Sequence, residues 1–208
     1  MPEAVIVDAV RTPIGRAVKG SLKDVRADDL ASIPLKALQE RNPDGDFSET
    51  VDVLMGAAFG AGEQGYNIGR NAALLSGIDH HVPACTVNRF CASSLQTLRM
   101  AFHAIKAGEG DQYVAAGVEA VSRAADSGNF EFHHKLDGSE GSLYNVYIPM
   151  GLTAENVAEE YGVSSREKKP ESCAATARSC DCCAKRSMSS RETSHCSATF
   201  SAVRPIGM

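Results

Sequence analysis

No apolar run in this 208-residue chain approaches the roughly 20 residues that a helix needs to cross a bilayer, so no membrane span of that kind is expected. Nothing at the start reads as a secretory signal either, because Met1-Pro2-Glu3 passes straight into the strand-like Ala4-Val5-Ile6-Val7. The seven cysteines are therefore expected as reduced thiols in a cytoplasmic setting rather than as a disulfide framework. A basic excess is missing as well: the formal net charge is −5, which argues against nucleic acid as a partner.

The last 45 residues lack more. They contain no leucine, against twelve in the first 163, and one glycine, Gly207, of the eighteen in the chain. Five cysteines (Cys173, Cys180, Cys182, Cys183 and Cys196) and ten serines crowd into this stretch. Eight lysines and arginines face four acids there, whereas 13 face 22 in the body. So little aliphatic bulk offsets little ordering entropy, and residues 164–208 are expected to be an unstructured tail. A zinc site would draw on Cys180, Cys182, Cys183, His195 and Cys196, but paired Cys-x-x-Cys knuckles are absent. The abrupt change in composition favours a shifted reading frame or faulty gene model instead.

What is present is an alternation of strands and helices. Ala4–Val7 reads as a buried strand, and Ala27–Arg41 as a helix with Leu30, Ile33, Leu35 and Leu38 on an irregular apolar face and Pro34 marking an entry turn or a kink. Val51–Met55 is a second strand, Ile68–Leu75 a helix, Ala84–Val87 a third strand, Cys91–Ala107 a long helix closed by Gly108, and Tyr113–Gly117 a fourth strand. The order βαβαβαβ predicts an α/β fold with a mixed or mainly parallel sheet covered by helices. Residues from about 122 to 150, rich in Gly, His, Asn, Asp and Ser, read as a long excursion. Met150-Gly151 then opens a helix that Thr153 can cap.

Cys91 stands where the third strand gives way to the long helix. A helix amino end offers unpaired N–H groups and the positive pole of the dipole, which favour a thiolate. Behind it Leu95, Leu98, Phe102 and Ile105 fall at helical spacing and predict one buried face. The spacing alone leaves open whether Cys91 is a nucleophile or a small buried hydrophobe.

Five segments settle on one family. Val87-Asn88-Arg89-Phe90-Cys91-Ala92-Ser93 resembles the acyl-enzyme signature of the thiolases, which cleave or form 3-ketoacyl-coenzyme A. Asp8-Ala9-Val10-Arg11-Thr12-Pro13-Ile14-Gly15, Gly56-Ala57-Ala58-Phe59-Gly60-Ala61-Gly62-Glu63, Gly117-Val118-Glu119-Ala120-Val121-Ser122 and Met150-Gly151-Leu152-Thr153-Ala154-Glu155-Asn156-Val157-Ala158 are similar to segments of the same family in the same order. The resemblance covers residues 1 to about 163, the amino-terminal half of a thiolase. Two departures stand out: Ser94, where many members carry glycine, and Pro149, where biosynthetic members often carry histidine. The Ile148-Pro149-Met150-Gly151 wording is closer to the degradative 3-ketoacyl type.

The resemblance implies a thiolase-like amino-terminal domain over residues 1–163, with residues of about 122–150 covering the coenzyme A arm. It implies an acyltransferase in which Cys91 carries the acyl group and Met150 faces the acyl and pantetheine path. A methionine filling a gap in the core is the alternative for Met150. Acyl-coenzyme A is the expected partner, as a substrate, and no cofactor, metal, nucleic acid or membrane is expected. Such a nucleophile needs a base within about 3 Å and an oxyanion hole. His103 lies about 18 Å further along the helix, His80 and His81 precede the strand, and His133 and His134 belong to the excursion. The family's Asn-Glu-Ala-Phe, Gly-His-Pro and Cys-Gly-Gly motifs are absent. The alternative function is accordingly an inactive fragment that binds acyl-coenzyme A or associates with full-length thiolase subunits, and a homo-oligomer or association with full-length thiolase is the expected protein partnership.

Overall fold

The computed structural model describes residues 2–16, 19–127, 131–163 and 195–205. Two compact units divide the chain, residues 1–128 with 190–208 and residues 129–189.

The first unit is a mixed sheet with helices on both faces. Its elements in chain order are β1 (Ala4–Arg11), β2 (Gly15–Arg16), α1 (Ala27–Arg41), β3 (Asp52–Gly56), α2 (Ile68–Leu75), β4 (Ala84–Val87), α3 (Ser93–Ala107), β5 (Tyr113–Ala120) and α4 (Val121–Ser127), with β6 (His195–Pro205) added from the far end of the chain. The sheet order is β1-β6-β5-β3-β4, with β2 paired to β6. β3 runs parallel to both β4 and β5, while β6 is antiparallel to β1 and β5.

Alternation along the strands separates two cores, because successive side chains point to opposite faces. Val53 and Met55 of β3 with Val114, Ala116, Val118 and Ala120 of β5 join Leu30, Leu35 and Leu38 of α1 and Ile68 and Ala72 of α2. The intervening residues Leu54, Tyr113 and Ala115 pack instead on Ala101 and Ile105 of α3. The first cluster is much the larger, since two helices cover that face and only α3 covers the other.

Several expectations change in detail. β1 is an edge strand, so Ile6 and Val7 are exposed rather than buried. α1 runs unbroken through Pro34, which is buried within the helix and does not mark its entry, and Ile33 lies outside the apolar face because it points to solvent. The face that α3 buries is Ser93, Thr97, Ala101 and Ile105, while Leu95 and Phe102 are 68% and 43% exposed. Of the expected stripe, Ile105 is fully buried and Leu98 packs partly against the same core, whereas Leu95 and Phe102 turn outward. Within the segment expected to be unstructured, residues 195–205 are assigned to the strand β6, whose sequence alternates Cys196, Ala198, Phe200 and Ala202 with Ser197, Thr199 and Ser201. Hydrogen-bond partners on both sides hold its backbone even without leucine. Residues 164–194, with Cys173, Cys180, Cys182 and Cys183, lie outside the described residues.

In the second unit, residues 131–149 form turns around an isolated Asp137–Asn145 bridge, followed by α5 (Met150–Glu160). Thr153 does not cap α5: the helix begins at Met150, and the Thr153 hydroxyl lies 3.5 Å from the Pro149 carbonyl. Among the described residues, no helix is long and apolar enough to cross a membrane.

Candidate active site

The parallel strands β3, β4 and β5 end side by side, with Gly56 paired to Val87 on one side and to Gly117 on the other. Chemistry in such sheets gathers at these carboxyl ends. The chain leaves β4 through Asn88 and Arg89, makes one 3-10 turn over Phe90–Ala92, and enters α3 at Ser93. Cys91 occupies the middle of that turn and is exposed, so the helix starts two residues later than the spacing predicts.

The turn is held by hydrogen bonds on both flanks. Asn88 Oδ1 accepts the Phe90 N–H at 2.9 Å, and its amide donates to the Ala58 carbonyl at 2.8 Å. Ser93 Oγ accepts the Arg89 N–H at 2.9 Å and donates to the Phe90 carbonyl at 2.6 Å. Phe90 adopts φ +48°, a left-handed conformation that costs a non-glycine residue about 1–3 kcal/mol and persists only where its surroundings impose it. The strand, the strained turn and the helix together present Cys91 to solvent.

Two glycines let α3 reach this position. A Cβ on Gly56 would lie 2.6 Å from the Ser93 carbonyl carbon and from the Ser94 nitrogen, and one on Gly117 would collide with the Ser94 hydroxyl. The bare strand ends thus seat the first turn of α3, and the space over Gly117 accommodates the serine at position 94. Thr97, fully buried one turn later, shares its hydroxyl proton between the carbonyls of Ser94 at 2.8 Å and Ala116 at 3.1 Å. Sequence reasoning placed Gly56 and Gly117 in two motifs, but only their register shows why neither can carry a side chain.

A second set of residues fixes the loop after β3. Glu119 accepts the Ala58 N–H at 2.6 Å and the Gln64 side-chain amide, while Gln64 Oε1 accepts the Ala120 N–H. Because Asn88 donates to the carbonyl of the same Ala58, a continuous line of hydrogen bonds runs from Glu119 to the cysteine turn. Neither Asn88 nor Gln64 was singled out from the sequence. The available signal was an amide side chain in the glycine-rich run Gly60-Ala61-Gly62-Glu63-Gln64-Gly65.

The other predicted residues fall elsewhere. Cys85 is partly buried on β4, and burial, with a smaller contribution from Asp52, pushes its thiol up from the ordinary value. His103 lines a groove with Asp52, Leu54, Arg99 and Tyr113 at the amino ends of β3 and β5, the opposite end of the sheet from Cys91. His80 and His81 precede β4 and are exposed. Met150 belongs to the second unit, where it is 72% exposed, so it fills no gap in that unit's core. His133 and His134 stack on one another in the same unit, with ring centroids 4.7 Å apart.

Comparison with known proteins follows the same outline. Residues 4–185 match the family described as thiolase, N-terminal domain, a span that continues past Val163. The chain is 44% identical over 183 residues to a beta-ketoadipyl-CoA thiolase of Acinetobacter baylyi, which covers 81% of this chain and 45% of that one. It is 41% identical over 171 residues to a 3-ketoacyl-CoA thiolase of Idiomarina loihiensis, covering 82% and 43% respectively. A beta-ketoadipyl-CoA thiolase of Pseudomonas aeruginosa is 45% identical over 181 residues. The chain spans a little under half the length of these relatives.

Proposed function

The chain belongs to the thiolase family through its amino-terminal domain, and on that footing we propose that Cys91 is the acyl-carrying nucleophile of a thiolase-type acyl transfer. The observation that carries the reading is the exposed thiol on a strained turn at the carboxyl ends of the parallel strands β3, β4 and β5, just before a helix whose first turn is seated over Gly56 and Gly117. In the cleavage direction the Cys91 sulfur bonds to the C3 carbonyl carbon of a 3-ketoacyl-coenzyme A. The C2–C3 bond then breaks, its electron pair remains on C2 as the enolate of acetyl-coenzyme A, and a proton is delivered there. The acyl group stays on Cys91 as a thioester until the thiol of free coenzyme A attacks it, returning the cysteine. This covalent intermediate divides one difficult transfer into two easier ones. Met150 contributes to the acyl and pantetheine path.

The proton transfers require groups that the described residues of the first unit do not place at Cys91, since His80, His81 and His103 all lie towards the opposite ends of the strands. A second thiolase half seated on the outer face of α3 is the proposed source. Exposed Leu95 and Phe102 support it, as does the length of the relatives. That same face favours the second reading, an inactive chain that binds acyl-coenzyme A or associates with full-length thiolase subunits.

Incubation with acetyl-coenzyme A followed by peptide mass mapping tests the nucleophile. An acetyl thioester on Cys91, absent in Cys91→Ala and absent from Cys85, is the expected result, and acylation at Cys85 instead would overturn it. Steady-state thiolysis of acetoacetyl-coenzyme A separates the two readings. The chain alone is expected to show no multiple turnover, because each missing proton-transfer or oxyanion contribution typically costs about 10²-fold or more. Fusion to a thiolase-like second half should restore turnover, in a manner that depends on Cys91.

A further inference from the structure

The loop between α2 and β4 carries Asp79, His80 and His81, whose carboxylate and imidazole atoms all lie within 4.8 Å of one another. Among the described residues this is the one group of three or more such side chains gathered this closely. We propose that Asp79, His80 and His81 form a surface site for a divalent first-row transition ion such as Zn²⁺ or Ni²⁺.

Donor type and geometry support the assignment. Imidazole nitrogens with one carboxylate oxygen suit zinc, nickel and copper, whereas magnesium and calcium prefer all-oxygen sets. Metal–ligand bonds of about 2.0–2.1 Å in a tetrahedral array put donors roughly 3.3 Å apart. The His80 Nδ1 already lies 3.3 Å from Asp79 Oδ1, and the two rings are 4.0 Å apart by their centroids. Both histidines are exposed, so the remaining closure takes only rotations about their side-chain bonds.

The backbone under the cluster is fixed independently of any ion. Asp79 Oδ1 accepts the His81 N–H at 2.8 Å, and the Asp79 carbonyl accepts the Val82 N–H at 3.0 Å. Arg70, reaching across from α2, donates to the His80 carbonyl at 2.6 Å and to the Val82 carbonyl. The loop therefore presents three donors from a pinned frame, and ordering costs on binding are confined to the side chains. The Arg70 charge opposes a cation nearby, which sets the site among weak, exchangeable ones. It lies at the amino end of β4, whereas Cys91 follows the carboxyl end, so the site is separate from acyl transfer. The stacked His133–His134 pair of the second unit has no third donor so placed among the described residues.

Isothermal calorimetry of Ni²⁺ into the full chain, with its cysteines first blocked by iodoacetamide, tests the proposal without interference from thiols. One saturable event is expected, weakened at least ~10-fold in His80→Ala and in His81→Ala, the low end of what disturbing even an outer partner of a metal ligand costs. His103→Ala, an exposed histidine outside the cluster, should leave it unchanged. Circular dichroism of the exposed-histidine variants should match the parent, which separates lost binding from lost folding. No saturable event in the thiol-blocked chain, or the same affinity and site number in the His80→Ala/His81→Ala double variant, would overturn the assignment.

Discussion

The two faces of the first unit's sheet are built from the same strands and finished differently. On one face α1 and α2 bury leucines and isoleucine, with Leu30, Leu35, Leu38 and Ile68 almost fully removed from water. On the other, α3 lies against the sheet through Ser93, Thr97, Ala101 and Ile105, and turns Leu95 and Phe102 outward. Burial of apolar area contributes about 25 cal/mol per Å², so the first face supplies most of the unit's hydrophobic stabilisation. The second face is arranged around close approach: glycines on β3 and β5 seat the start of α3 against the strand ends, directly after the 3-10 turn that carries Cys91. The larger core and the proposed nucleophile thus belong to opposite sides of one sheet.

That contrast breaks most easily in the larger core. Leu38→Ala is expected to cost about 2–5 kcal/mol in denaturant unfolding, because the residue is fully buried and its truncation leaves a cavity in the larger core. A loss below 1 kcal/mol would mean that this face is not the stabilising one.

The next effect concerns how the finished face is fastened at its edge. Glu63 receives two hydrogen bonds from Arg123, at 2.6 and 2.8 Å, and the Ala27 N–H at the start of α1 at 2.8 Å. The Arg123 hydrogen bonds, with those of Ala27 and the nearby positive charges, hold its carboxyl below the ordinary value against the opposing effect of burial. A depressed carboxyl stabilises the fold when ionised, so this contribution is present above the ordinary glutamate range and is lost as the pH falls through it towards the depressed value. Glu63→Gln should cost about 1.5–3 kcal/mol at neutral pH and flatten the acid limb of the stability profile. An unchanged acid limb would remove Glu63 from this role.

The close approach of α3 is sharpened by a double-mutant cycle. Gly117→Ala should cost about 1–3 kcal/mol, since its methyl meets the Ser94 hydroxyl, and Ser94→Gly should recover part of that loss. Additive effects would show that the two positions do not share the space.

A smaller change of opposite sign is expected at Asp52, on the α3 side of β3. One of its carboxylate oxygens is buried without a hydrogen-bond partner, and burial raises its pKa. A raised carboxyl favours the fold below the ordinary aspartate value and loses that contribution as the pH rises through the raised value. Asp52→Asn should therefore gain up to about 1 kcal/mol at neutral pH and speed alkylation of Cys85, whose thiol the Asp52 charge helps to push up. Slower alkylation of Cys85 in this variant would contradict the electrostatic account. The smallest effect is Leu95→Ala, expected within about 0.5 kcal/mol of the parent because the side chain is already in water.

Much of this arrangement was legible in the chain. Periodicity placed α2 and β4 at their observed ends, Ile68–Leu75 and Ala84–Val87, and put Cys91 at the junction of strand and helix. The family motifs pointed to the same cysteine. What periodicity misassigned on α3 was Leu95 and Phe102, which are exposed while Leu98 and Ile105 pack as expected, because a period sets which residues share a face but not the centre of the buried side. The pairing of residues 195–205 with β1 and β5 was not legible for a related reason, since an alternating run of serine, alanine and threonine depends on neighbouring strands more than on bulk.

The sequence by itself determined the order of strands and helices, through local spacing, and the family, through its motifs, which also single out Cys91 as the proposed nucleophile. The tertiary structure alone decided that Gly56 and Gly117 stand in register beneath Ser93 and Ser94, that Glu119, Ala58 and Asn88 form one hydrogen-bonded line to the cysteine turn, and that Asp79, His80 and His81 point their donors together. Ala58 and Glu119 are 61 positions apart along the chain, and Ala58 and Asn88 are 30 apart. Only packing of the helices on the twisted sheet brings such distant groups within hydrogen-bond or van der Waals distance.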